Sequence, residues 1–520
     1  MRHTLRRLLL VLIVLMLMYP VNTFAQLSGN YTIPGTPFST INEAIDSLNL
    51  VGVGTGGVTF NITAGYTETA PVDGFLLGST ILNASTSASS PIVFQKVSTG
   101  VNPLITAFTP GTSTSVDGIW KIQGTDYVTI DGIDLQENTS NLTETELMEW
   151  GFALVKLNST VPFDGCQYVT IKNCSITLSN VNTNSVGIYA GNHIATATTA
   201  LTITDPSDAV NNCGFYGNVI GSAYTGIRLS GYNAISPFAL YDQNNEIGSL
   251  AGNTIANYGG GSSTAYGIYT IYQNNLKVEN NSISGTGAGT LYGIFNSTGT
   301  SSNVDVIDNS ITISSSATTN SMYGISNAMG STAAGNTVNI IGNTIENCAY
   351  LTATSGIFYA IYNTASANNV NLSDNIVNNN VLAGTGAFYG VYSGACVNLI
   401  VQQNIVSNNQ KIGASGTMYL SYASTSIVNY HHNNLFNNSI PNSSGTSAAT
   451  IYGYYNLGSP TVENIHHNNI YNNSVGGTNT ATTSYNDGIY SNTIAGDLKS
   501  ISNNNIYGLT ASIRYSKWNS

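Results

Sequence analysis

Charge is what this 520-residue chain has least of: 7% of residues are Asp, Glu, Lys or Arg, against roughly 25% in ordinary soluble proteins. Its 13 Lys and Arg face 25 Asp and Glu, for a net charge of −12. No basic patch forms, which excludes nucleic acid as a partner. Cysteine is also scarce: Cys166, Cys174, Cys213, Cys348 and Cys396. An odd, sparse set excludes a disulfide framework, and no CxxC or Cys/His spacing suggests zinc. These cysteines read as small core residues; the pair to expect, if any bridge exists, is Cys174 with Cys213. Long apolar runs are missing beyond Leu8–Met18, whose 11 residues are too few to span a bilayer. Disorder is excluded as well, because it needs low hydrophobicity and high net charge, whereas 42% of residues here are hydrophobic and mean hydropathy is +0.05.

The one apolar run is an address. Arg2, Arg6 and Arg7 precede it, and Thr23-Phe24-Ala25 follows with small residues at the −3 and −1 positions. This pattern predicts a signal peptide over 1–25, cleaved after Ala25. The mature chain then carries 13 − 3 = 10 basic residues against 25 acidic ones, net −15. It is expected outside the cytoplasm, secreted or at the cell surface, with no membrane span.

What the chain has in abundance is repetition. The pattern apolar-x-apolar-x-x-Asn-x-apolar recurs at Asn218, Asn253, Asn281, Asn309, Asn343, Asn375, Asn404, Asn433, Asn468 and Asn504. Two earlier units, Val128 to Leu135 and Val169 to Ile176, fit with Ile133 and Cys174 as anchors, making twelve repeats. Alternation at period two within each unit means strands. The alternation breaks at the anchor, where Asn, tolerant of left-handed backbone, is expected to bend the chain. A second motif, Gly-apolar-aromatic, comes after most anchors, as in Gly267-Ile268-Tyr269 and Gly390-Val391-Tyr392. Ser/Thr/Asn/Gly stretches of variable length separate the two motifs and read as loops.

Short strands at a period near 31, with no helical signal, predict an all-β solenoid, each repeat being one coil stacked at about 4.8 Å. The units "NVDVIDNSI", "TVNIIGNTI" and "GNVIGSAYTGIRL" resemble the right-handed parallel β-helix repeats of the pectin-lyase-like superfamily. At the N-terminus, "PFSTINEAIDSL" places Thr40 and Glu43 at capping-box spacing and Ile41, Ala44, Ile45 and Leu48 on one helical face, before the strand "GGVTFNITAGYTE". That order resembles the capping helix and first strand of secreted β-helix proteins, those of Bacteroidota especially. The expected division is 1–25 signal peptide, 26–126 N-terminal cap and first strands, 127–510 repeats, and 511–520 a tail. The resemblance implies a right-handed parallel β-helix and leaves the reaction open, since lyases, hydrolases, adhesins and structural rods share it.

Stacking turns each repeat position into a column. The anchor column is expected to be an asparagine ladder, with amides bonded to the turns above and below. The aromatic column, Tyr189, Tyr269, Phe295, Tyr362, Tyr392, Tyr422, Tyr455 and Tyr490, interrupted by Arg228 and Ser326, should point outward. It has two readings: ring faces offered to sugars, as in nucleic-acid stacking platforms, or rings that stack on one another and stabilise the sheet. His431-His432 and His466-His467 lie 35 residues apart and should stack; the weak candidate metal ligands of the chain are these four, and stacked polar surface is the alternative.

Two classes of function fit. One is a secreted or surface rod with a structural, adhesive or glycan-binding role, its partner a polysaccharide or cell-surface glycan. The other is a polysaccharide lyase or glycoside hydrolase. For a lyase, the resemblance implies carboxylates holding Ca²⁺ and a Lys or Arg base, and the candidates are Asp131, Asp134, Lys172 and Arg228; a cross-strand ion pair explains Asp131 and Lys172 with less. No cofactor is otherwise expected. For a hydrolase, two carboxylates must stand about 5 to 9.5 Å apart, which Asp308 and Asp374 meet by register alone, and the polygalacturonase signatures are missing. Only 8 acids and 5 bases lie beyond residue 250, which favours the rod. The final repeat is ordinary, and "ASIRYSKWNS" shows no capping helix. The expectation is a truncated chain, or a last coil that docks on a partner or, by end-to-end self-association, on a second copy.

Overall fold

The computed structural model describes residues 25–511, apart from 98, 112, 114, 395, 479, 480, 482, 483 and 492–497. The expected signal peptide up to Phe24 and the expected tail from residue 512 lie outside the described residues. The chain winds as an all-β parallel β-helix of about 14 turns, with one face a 15-stranded sheet and a second face a 13-stranded sheet. One turn runs Asn369–Ser373 on the first sheet, Ile376–Asn378 and Val381–Leu382 on a third face of short strands, and Phe358–Asn363 or Phe388–Ser393 on the second sheet. The count exceeds twelve because Leu27–Ile33, Val53–Ile62 and Ile92–Lys96 pair ahead of Val128–Asp131. No break in the strand pairing divides 26–126 from the repeats: Ile92 pairs directly with Val128.

The expected helix is present as Ile41–Val51, with Thr40 and Glu43 forming the capping box and Ile41, Ala44, Ile45 and Leu48 buried. Inward residues align turn upon turn. Ile340, Leu372 and Val401 are register neighbours on the first sheet, as are Ile345, Val377 and Val406 on the third face, and all are buried.

The asparagine ladder runs unbroken from Asn218 to Asn504. From Asn253 on, each Oδ1 accepts from the backbone N–H and the Nδ2 of the anchor one turn earlier, as Asn343 does from Asn309 at 3.0 and 2.9 Å. The expected bend at the anchor is corrected by one residue. Positive φ is found at Gly217, Asn280, Asp308, Gly342, Asp374, Gln403, His432, His467 and Asn503, each just before an anchor. The anchor faces inward and bonds; its predecessor makes the corner. A second ladder, missed in the sequence, stands five residues on: Asn380, Asn409, Asn438 and Asn473. Its corners are Asn379, Asn408, Asn437 and Asn472.

The cysteines are small core residues, as their scarcity suggested: all five are buried and free, and Cys174 and Cys213 form no bridge. Three of them head amide columns instead. The backbone N–H of Cys174 donates to Asn218, that of Cys213 to Asn245 and that of Cys348 to Asn380. Burial pushes the Cys174 and Cys348 thiols up to about 12, so they stay protonated and unreactive.

Candidate functional site

The second sheet is built from strands such as Ala265–Ile271, Leu291–Asn296, Phe358–Asn363 and Phe388–Ser393. Their shared core is Tyr-small-apolar-aromatic, the small residue being Gly267, Gly293, Ala360 and Gly390. In a regular strand, residues three apart face opposite sides. Here Tyr266 and Tyr269 both face out, because Gly267 and Ile268 turn inward as consecutive residues while the register stays constant: Tyr266 opposes Tyr292, Ile268 opposes Ile294 and Tyr269 opposes Phe295. Gly267 makes this possible. A Cβ on it would sit 2.6 Å from the Gly293 carbonyl oxygen and 2.6 Å from Ile283 on the third face. Where leucine replaces the glycine, at Leu420, the next inward residue shrinks to Ser421, and both are buried.

The result is two tyrosine columns where one was expected. The second column, Tyr266, Tyr292, Tyr323, Tyr359, Tyr389, Tyr419 and Tyr452, stands in register beside the first. Its rings are nearly parallel: Tyr292 and Tyr323 lie 4.5 Å apart at 6°, Tyr359 and Tyr389 4.7 Å apart at 8°. In the expected column, Tyr392 stacks on Tyr422 at 4.6 Å and Tyr455 on Tyr490 at 4.9 Å. Within a strand, Tyr359 lies 4.2 Å from Tyr362. Ring faces in the columns are therefore turned to their neighbours along the axis, the arrangement of the stacking reading. Apart from the buried Tyr452, the rings of the two columns from Tyr266 to Tyr455 are half-buried.

Those hydroxyls are intact phenols. Burial first, then neighbouring tyrosines, raise Tyr359, Tyr389 and Tyr392 above the ordinary phenol value, Tyr392 to about 12. Among the described residues, the hydroxyls of Tyr362, Tyr392 and Tyr422 have no protein partner. No Asp, Glu, Lys or Arg occurs in any second-sheet strand from Ala265 to Asn456.

The first members of the expected column depart from this. Tyr189 is buried, because Trp150 stacks on it at 5.0 Å and 2° and His193 bonds its hydroxyl at 2.8 Å. Arg228 lies over the rings of Tyr189 and Tyr269 and closes that end of the stripe. Ser326 is buried between Phe295 and Tyr362.

The candidate catalytic residues are not brought together. Asp131 and Lys172 are register neighbours on the first sheet and pair at 3.2 Å. Asp134 accepts from Asn102 and from the Ser175 N–H, both at 2.7 Å. Arg228 is on the second sheet, bonded to Ser230. Asp308 and Asp374 are corner residues of the first-sheet edge, with Gly342 between them in the column. The histidine pairs do stack: His431 on His466 at 4.9 Å, His432 on His467 at 5.1 Å. Within each pair the Nδ1 atoms lie 2.9 Å apart, so one ring donates to the other. Among the described residues no group of three or more His, Cys, Asp or Glu side chains is placed to hold a metal, and no helix is long and apolar enough to cross a membrane.

No protein-family profile matches the chain, and no curated protein sequence does. Solved structures similar to it include a GH136 lacto-N-biosidase from Eubacterium ramulus, 12% identical over 92% of this chain and 68% of that one, TM-score 0.38. The A-module of the mannuronan C-5 epimerase AlgE6 of Azotobacter vinelandii is 13% identical over 91% and 95%, TM-score 0.34. PfbA, a surface adhesin of Streptococcus pneumoniae, is 12% identical over 84% and 86%, TM-score 0.33. Likeness at this level is one of outline, and the fold assignment rests on the strand pairing itself.

Proposed function

We propose that the chain is an exported β-helical protein, secreted or held at the cell surface, that binds polysaccharide with the outer face of its second sheet. The role is structural or adhesive rather than catalytic. The observation that carries this reading is the twin tyrosine column, a rigid, uncharged and largely half-exposed strip in which the hydroxyls of Tyr362, Tyr392 and Tyr422 have no protein partner among the described residues. Rigid aromatic side chains with a polar tip make contact area at low entropic cost. Catalysis has no comparable support, because the candidate acid, base and carboxylates stand on different sheets or pair with each other; Ca²⁺ enters only with a lyase reading. The test is a pull-down with insoluble polysaccharides. Replacing Tyr362, Tyr392 and Tyr422 together by alanine should abolish retention while the far-ultraviolet circular dichroism stays that of a β-protein. Retention that survives the triple change returns the columns to packing alone.

A further inference from the structure

The glycan-binding reading leaves the ligand's chemistry open, and the second sheet narrows it. We infer that the ligand is a neutral polysaccharide laid along the solenoid axis and held through the tyrosine hydroxyls, not the ring faces. This inference rests on the glycan-binding reading and deepens it.

Three observations carry it. First, charge is excluded from the strip. Between Arg228 at one end and Asp487 at the other, the second-sheet strands carry no ionisable side chain except tyrosine. An acidic glycan needs cations to offset the desolvation of its carboxylates, and the nearby turns supply none to this face. Lys277 is paired with Glu246 on the first sheet, and Lys411 is buried against the Gly384 carbonyl. Burial lowers the Lys411 ammonium to about 8. Second, the rings are parallel and stacked on one another, so their faces are already covered. What is left is a row of hydroxyls, each donor and acceptor, which matches the equatorial and axial hydroxyls of an uncharged sugar. Third, the row has the period of the solenoid. It repeats once per turn at about 4.8 Å and runs roughly 30 Å from Tyr266 to Tyr455. A chain of repeating units lying along the axis meets the same group at each turn, and many weak hydrogen bonds then act on one ligand.

The test uses affinity electrophoresis of the whole exported chain in gels containing xylan, mannan or mixed-linkage β-glucan as neutral probes, and polygalacturonate or alginate as acidic ones, at low and high salt. A second arm uses the variant Tyr359→Phe/Tyr389→Phe/Tyr392→Phe/Tyr422→Phe, which keeps the stacked rings and the fold. The inference expects retardation by a neutral glycan, unchanged by salt, and about tenfold or more weaker binding by the phenylalanine variant. Retardation by acidic glycans alone, or retardation that salt abolishes, overturns the inference and leaves glycan binding standing. Wild-type affinity in the phenylalanine variant also overturns it, by moving the contact off the hydroxyls. Retardation by none of the five overturns both the inference and the reading beneath it.

Discussion

Replacing Asn343 by leucine probes the ladder at its middle. The Asn343 side chain makes five hydrogen bonds. Its Nδ2 donates to Val306 O at 2.8 Å, Ile341 O at 3.1 Å and Asn375 Oδ1 at 3.1 Å. Its Oδ1 accepts from Asn309 N at 3.0 Å and Asn309 Nδ2 at 2.9 Å. Leucine has nearly the same volume but removes all five. The Asn309 backbone N–H is then stranded in the core, at a cost of about 1–3 kcal/mol, and each other lost bond costs about 0.5–1.5 kcal/mol. Burying the leucine returns roughly 1.5–3 kcal/mol. The balance is a loss of about 4 kcal/mol. In a solenoid this loss falls on one nearest-neighbour interface, so it should uncouple the turns on either side. Urea titration followed by tyrosine fluorescence should show a lower midpoint and a broadened or split transition. Hydrogen exchange should speed up around Asn309 and Asn343 first. The control is Asn442→Ala, at an exposed position on a third-face strand, which should change neither readout. An Asn343→Leu variant with the wild-type midpoint and exchange pattern would refute the argument that the ladder stabilises the stack.

Other positions give equally definite outcomes. Gly267→Val should unfold or strongly destabilise the chain, because its Cβ meets a backbone oxygen and a core isoleucine; Gly335→Ala, with open space around it but positive φ, should cost only about 1 kcal/mol. Burial and the neighbouring imidazoles hold His431 below the ordinary histidine value, and His466 likewise. Their neutral forms are favoured in the folded chain, so their contribution is full above the unfolded value of about 6.5 and is lost as pH falls through the folded values. The drop in Tm between pH 7 and 5 should therefore be smaller in His431→Gln/His466→Gln than in wild type; buried carboxylates raised by burial, such as Asp126 and Glu149, cancel in that difference. Lys172→Ala should lower stability by less than about 1 kcal/mol, because the Asp131 pair is at the surface; a larger loss in thermal denaturation would mean the pair has a role beyond neutralisation.

The repeat was legible because its signal is periodic in both senses: alternation of two inside a strand and near 31 between turns. That was enough for the strands, the core columns and the first ladder. The corner residues were missed by one position because no single residue type marks them: glycine, asparagine, aspartate, glutamine and histidine all serve. The second ladder is shorter, starts only at Asn380 below Cys348, and is masked by an asparagine-rich surround, although the runs "NIVNNN" and "NIYNNS" carried it. The second tyrosine column was missed because strict alternation assigns Tyr266 and Tyr269 to opposite faces, and only the glycine between them, packed against a carbonyl oxygen, reveals the kink. The burial of Tyr189 was not readable at all. It comes from Trp150, which lies just after a segment outside the repeat and reaches Tyr189 only through the register of the strand Trp150–Lys156 on Val186–Ile194.

The central claim is that the uncharged tyrosine strip is where glycan meets this protein. The most direct measurement is hydroxyl-radical footprinting of tyrosine oxidation with and without a polysaccharide that retards the chain in a gel. The account predicts protection of Tyr359, Tyr362, Tyr389, Tyr392, Tyr419 and Tyr422, with Tyr471 and Tyr507 on the third face oxidised as in the free protein. Protection confined to the first sheet around Asp131 and Lys172, with the strip oxidised at its free rate, would contradict it.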